Sequence, residues 1–304
     1  MIQANIFIPT TNRTKSLNKC LQSLNNQSNK SFAMTLIGIE KNTSTEQMIK
    51  KFTDLTIDYG IQKKPGLVGA ANEALQKSEH KIFIRIDDDV IVDKNWFNSI
   101  LLTFKKGSRV GAVTGPTLLT NKGMLSRDVT SFLEKFRQSK NPLYRLVFRI
   151  YDDYIYEKNM LDVGRFFRSG AFSIGANFKK CLQLKPHEVE NLEACNFACQ
   201  TTLLKQLNGF DRTFEKGLGE YHEADLAFKI KGLGYKIIFN PEVKLWHHVE
   251  NTFVKTRPDS LNRLRNFIIF YKRHIGFRNL DYFLRFSAHL FGQISYHIYK
   301  SLES

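Results

Sequence analysis

Cysteine is scarce in this 304-residue chain, which has only Cys20, Cys181, Cys195 and Cys199. None stands in a CxxC pair and no histidine pair follows at zinc-ligand spacing. That argues against a structural zinc site and makes free, mostly buried thiols the better reading. Long apolar runs are also missing. Nothing reaches the roughly 18 residues a membrane-spanning helix needs. The opening MIQANIFIPTTNR begins a core strand almost at once, which is not the pattern of a signal peptide. The expectation is a cytoplasmic chain, either free or peripheral at the cytosolic face of a membrane. On such a chain the sequons at Asn12 and Asn42 carry no information.

Negative charge is the other shortage. Only 29 Asp and Glu face 45 Lys and Arg, a formal net charge of +16. Such an excess suits a polyanionic partner, whether nucleic acid, an anionic membrane surface or a phosphorylated small molecule. A lysine-rich proteome would give the same balance. Nucleic acid is set aside, because no recognisable module is present and no pattern places Lys and Arg with stacking aromatics on a sheet face. What is plentiful is core material. With 42% hydrophobic and 24% charged residues, the chain can build one large α/β domain, with or without an extension.

The first hundred residues alternate strand and helix patterns. Ile2 to Ile8 reads as a buried strand stopping at Pro9. From Thr14, the residues Leu17, Cys20, Leu21 and Leu24 follow the spacing of a helix with one buried face. Met34 to Glu40 is the next apolar run, and 48–53 a short helical stretch. A glycine turn at 65–69 leads into a helix from Ala70 to Lys77. Ile82 to Ile86 is a strand, Phe97 to Phe104 a helix, and Val110 to Thr114 a strand. Such alternation predicts a mostly parallel sheet with flanking helices, whose ligands bind at the carboxyl ends of the strands. Thr10 to Arg13, Glu40, and Asp87 to Asp89 all fall at such ends. The alternation stops between Leu118 and Pro186. It resumes with a helix near Gln200 to Leu207, and the segment 217–248 reads as loop, helix, strand and strand. Residues 260–304 look helical, with Leu280, Leu284, Phe291, Ile294 and Ile298 on one face.

The triplet Asp87-Asp88-Asp89 is the sharpest chemical feature. Three adjacent carboxylates after an apolar strand repel one another and raise one another's pKa. A bound cation removes that penalty, and hard oxygen ligands suit Mg²⁺ or Mn²⁺. A solvated acidic turn is the plain alternative, and the strand IFIRI before the triplet argues for the ligand-binding edge.

With the rest of the chain, the triplet resembles the aspartate motif of family 2 glycosyltransferases. Over residues 2–248 and in the family's order, IFIPTTNR, LIGIEKNTST, GLVGAANEAL, IRIDDDV, ACNFACQTTLLKQLNGFDRTF and HEADLAFKIKGLGYKIIFNPEVKLWHH look like its successive motifs. The resemblance implies a GT-A fold, a Rossmann-like central sheet over residues 1–250 with a nucleotide-binding half (1–115) and an acceptor-binding half (116–250). A helical extension, 251–304, follows. It also implies roles. Asp89 and His247 would share a Mn²⁺ or Mg²⁺, with Asp88 or Asp87 near the ribose. Pro9, Thr10, Thr11 and Arg13 would frame the nucleotide, Glu40 would accept from a pyrimidine N3–H, and Asn72 would reach the diphosphate side. Glu223 stands at the position of the catalytic base, with Asp225 as its rival. The expected reaction is an inverting transfer of one sugar, from a UDP- or dTDP-sugar ahead of a GDP-sugar. The acceptor is a hydroxyl on a glycan or lipid-linked glycan. A silent sugar-nucleotide-binding scaffold is the competing reading.

The chain departs from the family's pattern at Thr11, where a Tyr is frequent, at Glu40 and Glu223, where Asp is usual, and at His222, where the family has Glu. The QxxRW signature of processive synthases is absent. One further question stays open. The basic, aromatic stretch 132–157 and the C-terminal helices could lie against anionic lipid, or their apolar residues could pack on the catalytic domain.

Overall fold

The computed structural model describes residues 2–11, 13–107, 109–121, 124–125, 138–248 and 260–303. Asn12, positions 132–137 of the basic stretch and the expected boundary at 250/251 lie outside the described residues.

In chain order the elements begin with β1 (Ala4–Thr10), α1 (Thr14–Asn25), β2 (Phe32–Gly38), α2 (Thr43–Ile49), β3 (Thr56–Ile61) and α3 (Leu67–Lys77). Then come β4 (Ile82–Ile86), β5 (Val90–Val92), α4 (Trp96–Phe104), β6 (Val110–Thr114), β7 (Thr117–Asn121) and β8 (Met124–Leu125). Helix α5 (Pro142–Arg149) continues into a wider π turn over Ile150–Ile155. After it follow β9 (His187–Val189), β10 (Asn196–Gln200), α6 (Thr201–Gln206), α7 (His222–Gly232), β11 (Lys236–Phe239) and β12 (Leu245–His248). Helix α8 (Ser260–Phe270) ends in a second π turn, Tyr271–Ile275, and α9 spans Leu280–Glu303.

Eight strands form one sheet in the order β3-β2-β1-β4-β10-β6-β11-β9. Strands β3, β2, β1 and β4 run parallel, β10 runs antiparallel between β4 and β6, and β11 is parallel to β6. Strands β4 and β6 are buried at every position. That burial on both faces is why they read as continuous apolar runs rather than alternating ones. One core layer joins α1 and α4 to one face through Leu17, Leu21, Trp96 and Phe97. The other gathers Val68, Leu75, Phe83, Phe210 and Leu226. A second, four-stranded sheet has the order β5-β12-β7-β8.

The expected α/β architecture with a mostly parallel sheet and C-terminal helices is present, with local corrections. Strand β1 runs through Pro9, which pairs with Ile37 of β2. The β1–β4 ladder ends at Phe7, so the missing N–H of Pro9 falls where only one neighbour remains. Helix α2 begins at Thr43, ahead of the 48–53 reading, because the Asn42 side chain caps it by accepting from Thr45 N–H at 2.8 Å. Helix α3 starts at Leu67 rather than Ala70, directly after Gly66 at φ 129°, where a side chain would be strained. Strands β3 and β10 were not anticipated.

The C-terminal helices dock through aromatics. Phe267, Phe270 and Tyr271 pack with Phe286 of α9 on Phe214, Tyr221 and Ala224, the last two flanking the start of α7. Each fully buried Phe contributes about 2 kcal/mol by area. Packing on the domain does not extend to the apolar stripe of α9, however. Leu280, Leu284 and Phe291 are 69%, 46% and 71% exposed, while the helix buries Phe286, His289 and Gln293 instead.

Candidate active site

The parallel pairing of β1, β2 and β4 brings Thr10, Gly38 and Ile86 to one edge of the sheet, with the aspartate triplet continuing from β4. Strand β5 then leaves for the second sheet. There β12 pairs antiparallel with it, setting His247 opposite Val90, and the His248 N–H donates to the Asp89 carbonyl at 2.9 Å. This ladder is what carries His247 across 158 positions of sequence to Asp89. Its Nε2 lies 3.0 Å from Asp89 Oδ1. Asp87, Asp89 and His247 offer ligand atoms that all lie within 4.8 Å of one another. Asp89 Oδ1 is buried without an aligned hydrogen bond. Two carboxylates and an imidazole around a buried, unsatisfied oxygen fit Mn²⁺ or Mg²⁺.

The middle aspartate is turned inward. Asp88 is fully buried, accepts from Thr10 Oγ1 at 2.7 Å, and is paired with the Arg13 guanidinium. Burial pushes its carboxyl up to about 6, with Arg13 and Thr10 opposing. Arg13 also donates from Nη1 to Asp89 Oδ2 at 2.6 Å. Burial disfavours the Asp89 carboxylate, yet His247 and Arg13 together hold it below its ordinary value. Thr11 and Glu40 are exposed just beyond β1 and β2, on the same edge. Asn72 is occupied elsewhere: its Nδ2 donates to the Phe210 carbonyl and its Oδ1 accepts from the Phe210 N–H, each at 2.8 Å. That double bond clamps the Gly-Phe-Asp turn, where Gly209 sits at φ 75° with no room for a side chain against Asn72.

On the other side, α7 opens with His222 and Glu223 behind Tyr221, a bulky residue held at φ 73°. Arg85, buried in β4, lies with Nη1 3.2 Å from His222 Nε2. A guanidinium can only donate, so Nε2 accepts and the ring proton sits on Nδ1. Nδ1 faces the Gly219 carbonyl and Glu223 Oε2, the latter at 3.0 Å. Arg85 also donates from Nη2 to Asp87 Oδ1 at 3.2 Å. A continuous polar chain, Asp87–Arg85–His222–Glu223, thus links the carboxylate triplet to the start of α7. Burial disfavours the Glu223 carboxylate, but His222 and then Arg85 outweigh it and hold the group below its ordinary value.

Asp225 faces the opposite way. Its carboxylate sits 2.6 Å from Lys229, 2.8 Å from Arg273 and 2.7 Å from His274, tying α7 to the turn after α8. The structure therefore brings together Thr10, Arg13, Asp87, Asp88, Asp89 and His247, sets Glu223 at the end of a chain leading to them, and directs Asp225 and Asn72 into packing roles. Arg85 was missed by the sequence reading. Its signal was a cation inside the buried strand IFIRI, which demands a partner. Glu193 was missed as well; desolvation, reinforced by the charge of Glu223, pushes its carboxyl up to about 7.

The fold is that of a glycosyl transferase, and the chain belongs to glycosyl transferase family 2, whose family model matches residues 5–173. Among solved structures it resembles the mannosyltransferase PcManGT from Pyrobaculum calidifontis, in complex with GDP-Man and Mn²⁺ (TM-score 0.57, 14% identity, covering 95% of this chain and 69% of that one). It also resembles GalNAc-T7 with UDP, GalNAc and Mn²⁺ (TM-score 0.64, 15% identity, 90% and 48%). A third likeness is to S. aureus TarS 1–349 in complex with UDP (TM-score 0.54, 12% identity, 90% and 66%). The chain thus spans about half the length of GalNAc-T7. No curated protein matches the chain in sequence.

Proposed function

We propose that this protein transfers one sugar from a nucleoside-diphosphate sugar to an acceptor hydroxyl with inversion, in a divalent-metal-dependent single displacement. The observation that carries this reading is the pairing of a three-ligand cluster at Asp87, Asp89 and His247 with an anionic Glu223 at the far end of the Arg85–His222 chain. Those three residues would hold Mn²⁺ or Mg²⁺, which when bound supplies positive charge to the departing diphosphate. PcManGT in complex with GDP-Man and Mn²⁺, and GalNAc-T7 with UDP, GalNAc and Mn²⁺, support a divalent metal here.

Glu223 takes the proton of the acceptor hydroxyl as its oxygen attacks the anomeric carbon, and the glycosidic bond to the nucleoside diphosphate breaks on the opposite face. Glu223 is preferred to Asp225 because the latter is already held by Lys229, Arg273 and His274. Arg13, already spanning Asp88 and Asp89, is placed to meet phosphate charge. Glu40, with Pro9, Thr10 and Thr11, frames the base, which favours a UDP- or dTDP-sugar. The acceptor is a hydroxyl of a glycan or lipid-linked glycan met on the cytosolic side.

Glu223→Gln is predicted to lower turnover by roughly 10²–10⁴-fold while leaving nucleotide binding in the presence of Mn²⁺ at the wild-type level. The check is a thermal-shift series with UDP, dTDP and GDP, with and without Mn²⁺ or Mg²⁺, beside a turnover assay on the donor that series selects. A Glu223→Gln enzyme that turns over at the wild-type rate would remove Glu223 from the chemistry.

A further inference from the structure

Among the described residues, four apolar side chains along one side of α9 stand open to solvent. Leu280 (69% exposed), Leu284 (46%), Phe291 (71%) and Ile294 (38%) recur at helical spacing on one side of the helix. A second group stands on α5, where Leu143, Leu146, Val147 and Ile150 are 64%, 55%, 47% and 42% exposed. The two helices belong to one unit. The turn that continues α5 packs on α9, where Tyr151 OH approaches Gly292 so closely that a side chain there would collide with it. Arg285 of α9 stacks on the Tyr154 ring and donates to its carbonyl. Phe277 and Phe283, at 46% and 50% exposure, extend the apolar surface around the start of α9. Soluble monomers rarely leave so many large side chains open on adjoining elements unless something covers them.

The charge around them selects the cover. Residues 138–155 and 260–303 together carry ten Lys and Arg against four Asp and Glu. Lys140, Arg145, Arg149, Lys272 and Arg278 are exposed. Of the acids, Asp281 is neutralised by Arg168 and Arg285, leaving Asp153 as the exposed carboxylate of the α5 segment. Open apolar side chains interleaved with cations fit the boundary between acyl chains and anionic headgroups. There buried CH₂ groups and Lys or Arg near the surface both favour binding. None of the described helices is long and apolar enough to cross a membrane, so the contact lies in the plane of the interface.

We infer that the exposed faces of α5 and α9 form a docking surface for the surface of a bilayer containing anionic phospholipid. The inference adds a location to the proposed transfer reaction: α8, packed against α9, rests on Tyr221 and Ala224 beside Glu223, so the docked face adjoins the element that carries the base.

The test is flotation of the full chain with vesicles of phosphatidylcholine alone or with 30% phosphatidylglycerol, at low and high salt. Wild type should float with the anionic vesicles, at least tenfold less with neutral ones, and less in high salt. The triple variant Leu280→Ser, Leu284→Ser, Phe291→Ser should lose at least tenfold in partitioning, and Arg145→Gln with Arg149→Gln should lose binding to anionic vesicles alone. Wild type remaining unbound, or the triple variant floating as wild type does, would overturn the proposal. So would sedimentation showing that the same variant dissolves a dimer of wild type, since that assigns the face to a second copy. All substituted side chains are exposed, and an unchanged melting temperature and Mn²⁺–nucleotide thermal shift check that each variant is folded. The vesicles contain no donor or acceptor, so failure here leaves the catalytic reading untouched, and failure of that reading leaves this one.

Discussion

His222 determines what Glu223 experiences. A carboxylate in that position is surrounded by low-dielectric packing, which favours protonation. The imidazole, held in one tautomer by Arg85, reverses the balance. His222→Phe is therefore predicted to raise the Glu223 pKa, moving the acidic limb of the turnover–pH profile to higher pH. The Michaelis constant for the donor should stay close to its wild-type value, a split that general loosening would not produce. An unmoved acidic limb would mean that Glu223 owes its ionisation to something else. At this scale the sequence was informative where chemistry is crowded. Three aspartates after IFIRI, and two histidines after a strand, announced themselves. Arg85 and His222 were harder to see, because their roles depend on a contact between β4 and α7 that lies 137 positions apart.

Helices α8 and α9 show how an element can be legible while its orientation is not. Periodicity marks 260–304 as helical and puts Leu280, Leu284 and Phe291 on one face, yet the core takes the other face, with Phe286, His289 and Gln293. The reason is that the buried side is aromatic and polar: His289 Nδ1 lies 3.1 Å from the Ser169 carbonyl, its Nε2 lies 3.1 Å from Gln293 Nε2, and its ring packs on Phe267. A hydrophobicity pattern alone favours the wrong side. The same residue gives a pH prediction. Burial lowers the His289 pKa to about 4, below the ordinary value of 6.5, so between those values the unfolded chain binds the proton and the native one resists it. Stability is then complete above about pH 6.5 and is lost as pH falls toward 4. Urea unfolding at pH 7 and pH 5 should differ by roughly 2 kcal/mol more in wild type than in His289→Gln. Equal pH dependence in the two proteins would contradict a neutral buried imidazole.

Across the whole molecule, the site exists because distant segments share two sheets. Strand β10 enters the main sheet antiparallel between β4 and β6, bringing Glu193 and Cys195 toward the edge where the triplet lies. Strand β12 joins the second sheet beside β5 and delivers His247. Strand β12 was legible as a strand but its place beside β5 was not, and neither β10 nor β3 is visible in local patterning. NFACQ is a short run directly before a helix, and TIDYGI of β3 is half exposed and carries both Asp and Gly. What made the long-range arrangement readable was the order of motifs shared with the family. Propensity gave the parallel strands around β1 and β4, and only that order joined residue 89 to residue 247.

The most direct measurement is the binding of Mn²⁺ in the presence of UDP, dTDP or GDP, followed by the electron paramagnetic resonance of free Mn²⁺. Wild type should take up one Mn²⁺ per chain with at least one of the three nucleotides. Asp89→Ala and His247→Ala should each weaken that uptake by tenfold or more, while Asp225→Asn retains it. Wild-type Mn²⁺ uptake by both Asp89→Ala and His247→Ala would contradict a metal shared between the aspartate triplet and the distant histidine.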